Sequence, residues 1–133
     1  DGDERQKAPL VCAISCGGES DHGQDVEISF VPDTCVVKSG DEAELTLKYN
    51  LDEEVTGGEQ HLVIMFNGLK VSDKTVKLDT LENVTLPLKV GPQSSDTKIL
   101  VPDNIPSGTL LATQTWTDQN GEQIICLKYQ MKH

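Results

Sequence analysis

Apolar and polar residues alternate with a period of two along most of this chain, the pattern of strands that bury one face. Over residues 25–31, Val26, Ile28 and Phe30 point one way, and Glu27 and Ser29 point the other. Residues 42–50 repeat the pattern, with Ala43, Leu45, Leu47 and Tyr49 inward and Glu44, Thr46 and Lys48 outward. Residues 60–66 are apolar almost throughout (Leu62, Val63, Ile64, Met65, Phe66), which predicts a central strand covered on both faces. Shorter alternations predict strands within residues 9–16, at 75–79 with Val76 and Leu78 inward, at 86–90 with Leu86, Leu88 and Val90, and at 97–101. Further on, Leu110, Ala112, Gln114 and Trp116 share one strand face. In the closing strand Ile124, Cys126 and Lys128 share one face, and Ile125, Leu127 and Tyr129 share the other.

Turn signals separate these segments. Asn120-Gly121 predicts a tight hairpin of type I′, because both residues tolerate positive φ, and Asn67-Gly68 is a second such signal. Pro32-Asp33-Thr34, Lys38-Ser39-Gly40-Asp41 and the acidic, glycine-containing stretch 52–58 are further breaks. Residues 17–23 form a polar loop, and residues 1–8 hold nothing to bury, which predicts a mobile tail before one domain over 9–133. Eight or nine short strands without a helical-period stretch predict an all-β, antiparallel two-sheet sandwich.

Composition narrows the partners. The 133 residues suit one core, and 22 acidic against 11 basic residues leave a net charge of −11. That charge argues against a nucleic-acid ligand, which needs a basic footprint, and against tight electrostatic docking on anionic membranes at neutral pH. The four cysteines, Cys12, Cys16, Cys35 and Cys126, are an even number in a small chain, and Asn83-Val84-Thr85 is a glycosylation sequon at Asn83. With a first residue that is not Met, these predict a secreted or endolysosomal protein freed of a leader. Cys126 has to pair with a cysteine among the first 35 residues, which staples the last strand to the N-terminal region and leaves three choices of partner.

The search for chemistry returns little. His22, His61 and His133 are scattered, and the terminal His133 is expected to be mobile. Cys16 and His22 could be paired on paper as nucleophile and base, but no third group orients them. Cys12-x₃-Cys16 with His22 lacks the second knuckle of a structural zinc site, so disulfides are the better reading. Asp52-Glu53-Glu54 lacks calcium-loop spacing and reads as a solvated turn. No catalytic residue, metal or cofactor is expected.

Cys16-Gly17, Cys35-Val36-Val37-Lys38-Ser39-Gly40, Phe66-Asn67-Gly68-Leu69, Leu86-Pro87-Leu88-Lys89-Val90-Gly91, Val101-Pro102, Ile105-Pro106-Ser107-Gly108, and Asp118-Gln119-Asn120-Gly121 with Ile125-Cys126-Leu127 stand in an informative order. In that order and spacing, over residues 15–129, the chain resembles the MD-2-related lipid-recognition, or ML, domain family. That family includes the Niemann-Pick type C2 sterol carrier, the group 2 mite allergens and fungal phosphatidylglycerol/phosphatidylinositol transfer proteins. The chain departs from it at Leu86, where the family often has a cysteine, and at Cys12, which is extra. The resemblance implies bonds Cys16–Cys126 and Cys12–Cys35; the swapped pairing, Cys12–Cys126 with Cys16–Cys35, is also compatible with the sequence.

The resemblance further implies an immunoglobulin-like sandwich that holds one lipid, a sterol or a phospholipid or fatty acyl chain, between its sheets. The implied cavity lining is Val26, Ile28, Phe30, Leu45, Leu47, Tyr49, Leu62, Ile64, Phe66, Leu86, Leu110 and Trp116, with Leu69, Val71, Val101 and Ile105 at the lip. A volume of roughly 300–1,000 Å³ would suit such a cargo. Expected partners are the lipid, a transiently touched membrane and a membrane transporter or receptor; the chain is expected to be a monomer. A different class also fits the alternation: an adhesion or receptor-binding sandwich whose inward residues simply pack a solid core.

Overall fold

The computed structural model describes residues 12–32, 34–81, 84–101, 103 and 106–133. The expected tail, the sequon residue Asn83 and the expected lip residue Ile105 lie outside these. Among the described residues the strands are β1 Ala13–Ser15, β2 Gly23–Val31, β3 Glu42–Leu51, β4 Gly58–Phe66, β5 Leu69–Lys77, β6 Gly91–Leu100, β7 Thr109–Asp118 and β8 Gln123–Lys132. A single 3₁₀ turn, Leu78–Thr80, follows β5.

The strands form two antiparallel sheets, one of five strands in the order β1-β8-β7-β4-β5 and one of three in the order β2-β3-β6. The alternation of β3 sets the core. Ala43, Leu45, Leu47, Tyr49 and Leu51 are all buried, in one core cluster with Ala112 and Trp116 of β7 and Leu127, Tyr129 and Met131 of β8. Phe30 of β2 stacks on Tyr129 across the gap, with ring centroids 6.4 Å apart. Each fully buried aliphatic side chain here contributes about 1.5–3 kcal/mol. Two disulfides, Cys12–Cys35 and Cys16–Cys126, join β1 and its flanks to the rest of the molecule. This is the pairing that the resemblance implied. Cys16 is therefore no nucleophile.

Several expectations need correction. The β7–β8 turn at Asn120-Gly121 is not of type I′. Gly121 N–H donates to Asp118 C=O (3.0 Å) and Asp118 N–H donates to Glu122 C=O (2.8 Å), and of the loop residues Gly121 takes the left-handed φ of 78°. That is a three-residue loop closed by a left-handed glycine. The I′ geometry occurs instead at Asn67-Gly68, where φ is 50° and 83°.

The strand expected at 75–79 is the end of β5, which starts six residues earlier; Val76 is 38% exposed and Leu78 is buried in the 3₁₀ turn. The polar run of β5 had hidden it. Residues 86–90 form no strand: of these only Leu88 pairs, in an isolated bridge with Val55. The ladder begins at Gly91 instead, and Pro92 is tolerated because β6 is an edge strand. In β8 a register shift opposite Trp116/Thr117 adds one residue, so Ile124 and Ile125 are both buried rather than alternating. Finally, β4 pairs on both sides, but its residues 62–66 are only half-buried. The sheet of three strands is too narrow to cover it fully.

Candidate functional site

The unequal sheets leave one side of the sandwich open. Register carries the inward set of β7 (Leu110, Ala112, Gln114, Trp116) onto Phe66, Ile64, Leu62 and Gln60 of β4. It continues onto Leu69, Ser72, Lys74 and Val76 of β5. On the opposing sheet, the buried set of β3 pairs with Gln93, Ser95, Thr97 and Ile99 of β6. The core half, between β3 and β7–β8, is closed and apolar. The other half places half-buried Leu62, Ile64 and Phe66 on one wall, with a largely polar β6 face on the other.

At the end of this half lies an apolar cavity of about 80 Å³, walled by Val37, Phe66, Ile99, Val101, Leu110 and Met131. Of the residues expected to line a cavity, Phe66, Leu110 and Val101 are brought together here. Leu69 and Leu100, 71% and 70% exposed, stand at the adjoining strand ends. The volume is below that of a lipid site, so the large cavity expected from the resemblance is not open in this conformation. Leu45, Leu47, Tyr49, Phe30 and Trp116 are buried in the closed core instead of lining it, while Val26 and Ile28 are half-buried on β2. Val71 is displaced by a register shift in β5 and is exposed. Leu86 sits at the far end, in a polar cleft of about 500 Å³ that it shares with Gly58, Lys77, Thr117 and Gln119.

Sequence reasoning missed the other walls of the apolar cavity: Val37, Ile99, Met131 and His133. Met131 could have been read, since it extends the alternation of Ile125, Leu127 and Tyr129. His133 is anchored, contrary to expectation. Its backbone exchanges hydrogen bonds with Gly108 (2.9 and 3.1 Å), and its Nε2 lies 3.1 Å from Ser39 Oγ. Its Nδ1 is buried without a hydrogen-bond partner.

A second cluster forms at the opposite end of β7. His22 Nδ1 donates to Asp52 Oδ1 (2.7 Å), and its Nε2 lies 3.0 Å from Glu122 Oε1, 3.5 Å from Asp118 Oδ2 and 3.8 Å from Glu53 Oε2. Hydrogen bonding to Glu122, with lesser help from Asp52 and the charge of Glu53, outweighs burial and pushes the His22 pKa up to about 9. These residues come from three separate loops, which is why spacing along the chain gave no sign of them.

Two disulfide-tied antiparallel sheets, open on one side, define a β-sandwich with an inter-sheet site. The sequence model of the ML domain matches residues 11–133, and the chain belongs to that family. It is 29% identical over 106 residues to a Dictyostelium discoideum protein provisionally named a phosphatidylglycerol/phosphatidylinositol transfer protein, covering 78% of this chain and 72% of the relative. A second such protein from the same organism is 27% identical over 117 residues, covering 87% and 76%. Among solved structures, a Niemann-Pick type C2 protein from Japanese carpenter ant superposes with a TM-score of 0.66 at 20% identity, covering 92% of this chain and 98% of that one. Chicken MD-1 complexed with lipid IVa gives a TM-score of 0.65 at 15% identity, covering 91% and 87%. Those two likenesses concern the fold.

Proposed function

We propose that this ML-domain protein binds one lipid between its sheets and transfers it between membranes. The observation that carries the reading is the apolar cavity at Phe66, Val101 and Leu110, continuous with the half-buried inner face of β4. Burial of the cargo's apolar surface, at about 25 cal/mol per Å² before binding costs, supplies the drive. Because the closed cavity holds only about 80 Å³, β4–β5 and β6 part to admit the chain. Exposed Leu69 and Leu100 touch the membrane while the lipid passes.

The named relatives favour a phospholipid over a sterol as cargo. Two disulfides suit a secreted or endolysosomal setting. Native mass spectrometry of gently purified protein, followed by titration with fluorescent phosphatidylinositol, phosphatidylglycerol and sterol, tests the proposal. One lipid bound per chain, with saturable exchange, is the expected result. A bare protein that takes up none of the probes overturns it and leaves the packed adhesion module.

A further inference from the structure

The acidic cluster around His22 has no place in lipid binding. It sits where β7 ends at Asp118, while the apolar cavity sits where β7 begins, about 30 Å away along a ten-residue strand. We propose that His22, Glu53, Asp118 and Glu122 form a binding site for one first-row divalent cation, best fitted by Zn²⁺.

The geometry is the first argument. Four candidate donor atoms, one from each residue, lie within 4.8 Å of one another. Tetrahedral Zn²⁺ with nitrogen and carboxylate donors at 2.0–2.2 Å sets its ligands roughly 3.4 Å apart. The distances from His22 Nε2 to the three carboxylates, 3.0, 3.5 and 3.8 Å, bracket that value. Only small side-chain shifts are needed, and Glu53 and Glu122 are exposed enough to make them.

The second argument is independent of that proximity. Asp118 is 4% exposed, and its Oδ2 accepts no hydrogen bond. Its other oxygen is fully used, accepting the backbone N–H groups of Asn120 and Glu122 at 2.9 Å each. His22 Nε2, at 3.5 Å, is too far to donate to it, and a buried carboxylate oxygen without a donor costs free energy that a directly bound cation would relieve. Oδ2 points at His22 Nε2 and therefore into the proposed site.

The surrounding contacts select the donor atoms. Asp52 accepts the Nδ1–H of His22, which holds the ring and leaves Nε2 to the metal, the usual second contact of a metal-bound histidine. Among the described residues no lysine or arginine pairs with Asp52, Glu53, Asp118 or Glu122, so four carboxylates face one imidazole. A bound divalent ion displaces the proton from Nε2, bringing two positive charges for the one expelled, and so lowers the excess negative charge by one. One nitrogen among only four donors does not suit Ca²⁺, which takes six to eight oxygens.

The test uses the full chain, stripped with a chelator and titrated with ZnCl₂ by calorimetry, with thermal melting in parallel. The expected result is a single site per chain, a rise in Tm on adding one equivalent, and no matching site for CaCl₂. Glu53→Gln and Asp52→Ala, both at exposed positions that leave the fold alone, are expected to weaken Zn²⁺ at least tenfold. His61→Gln, which dismantles the exposed His61–Asp73 pair, is expected to leave it unchanged. Absence of a one-to-one site overturns the proposal. So does a site that weakens with His61→Gln but not with Glu53→Gln, which would be adventitious binding to an acidic surface.

Discussion

Trp116 donates its indole N–H to Gln60 Oε1 at 2.9 Å, linking neighbouring strands of the wide sheet on their inner face. Trp116 is 1% exposed, so this donor has no water to fall back on. Gln60→Leu strands the N–H and is expected to cost about 1–3 kcal/mol. Gln60→Glu, which keeps an acceptor, is expected to cost less. Urea denaturation of the two variants measures the difference; equal stabilities would show that the bond contributes nothing.

The disulfides should rank by the loop that each closes. Cys16–Cys126 spans 110 positions and Cys12–Cys35 spans 23. Chain entropy then assigns about 5 kcal/mol to the first and about 3 kcal/mol to the second. Removing the pairs one at a time by double Ala substitution should give the larger fall in urea midpoint for Cys16/Cys126.

His22 gives a pH dependence whose sign follows from its raised pKa. In metal-free protein its imidazolium is favoured by Glu122, Asp52 and Glu53, with buried Asp118 also facing it. Its stabilisation is therefore fully present below the unfolded value of about 6.5 and is lost as pH rises toward about 9. Asp52, Glu53 and Glu122 are each more than half exposed, so solvent screening holds the loss to about 1–2 kcal/mol. Stability measured from pH 6 to pH 10 in chelator should fall for the wild type across that window. The fall should be absent from His22→Gln.

Ile64 and Leu69 separate an openable site from a solid core. Ile64 faces the gap between small neighbours, Ala112 on β7 and Ser72 on β5. Ile64→Trp should fill that space, abolish lipid uptake and keep the apo fold. A destabilisation of about 1–3 kcal/mol would instead mark an overpacked core. Leu69→Trp, on an exposed rim, should slow uptake with stability changed by less than about 1 kcal/mol. Fluorescent-lipid binding and thermal melts on both variants decide it.

The sequence carried the sandwich well wherever alternation was strong, as in β2 and β3. It failed where inward residues are polar. Gln93, Ser95 and Thr97 face inward in β6, and Ser72 and Lys74 do so in β5, so neither strand advertises itself by hydropathy. Both are edge strands bordering the open half, and it is there that the candidate site lies. The walls at Phe66, Val101 and Leu110 were legible through the family resemblance. Val37 and His133 were not, because a parallel bridge from Val36 to Lys132 brings them together, and spacing does not encode such a crossing. The His22 cluster was hidden for the same reason: three loops meet at one end of the molecule.

Because the wide sheet overhangs the narrow one, β5 presents one bare row of backbone donors and acceptors to other molecules. Such an edge invites strand addition and fibril growth. Lys70, Asp73, Lys74 and Lys77 punctuate it, and the register shift opposite Ile64/Met65 breaks its flat outline. The charge that made this strand hard to recognise thus keeps the uneven sandwich from zipping onto its own copies.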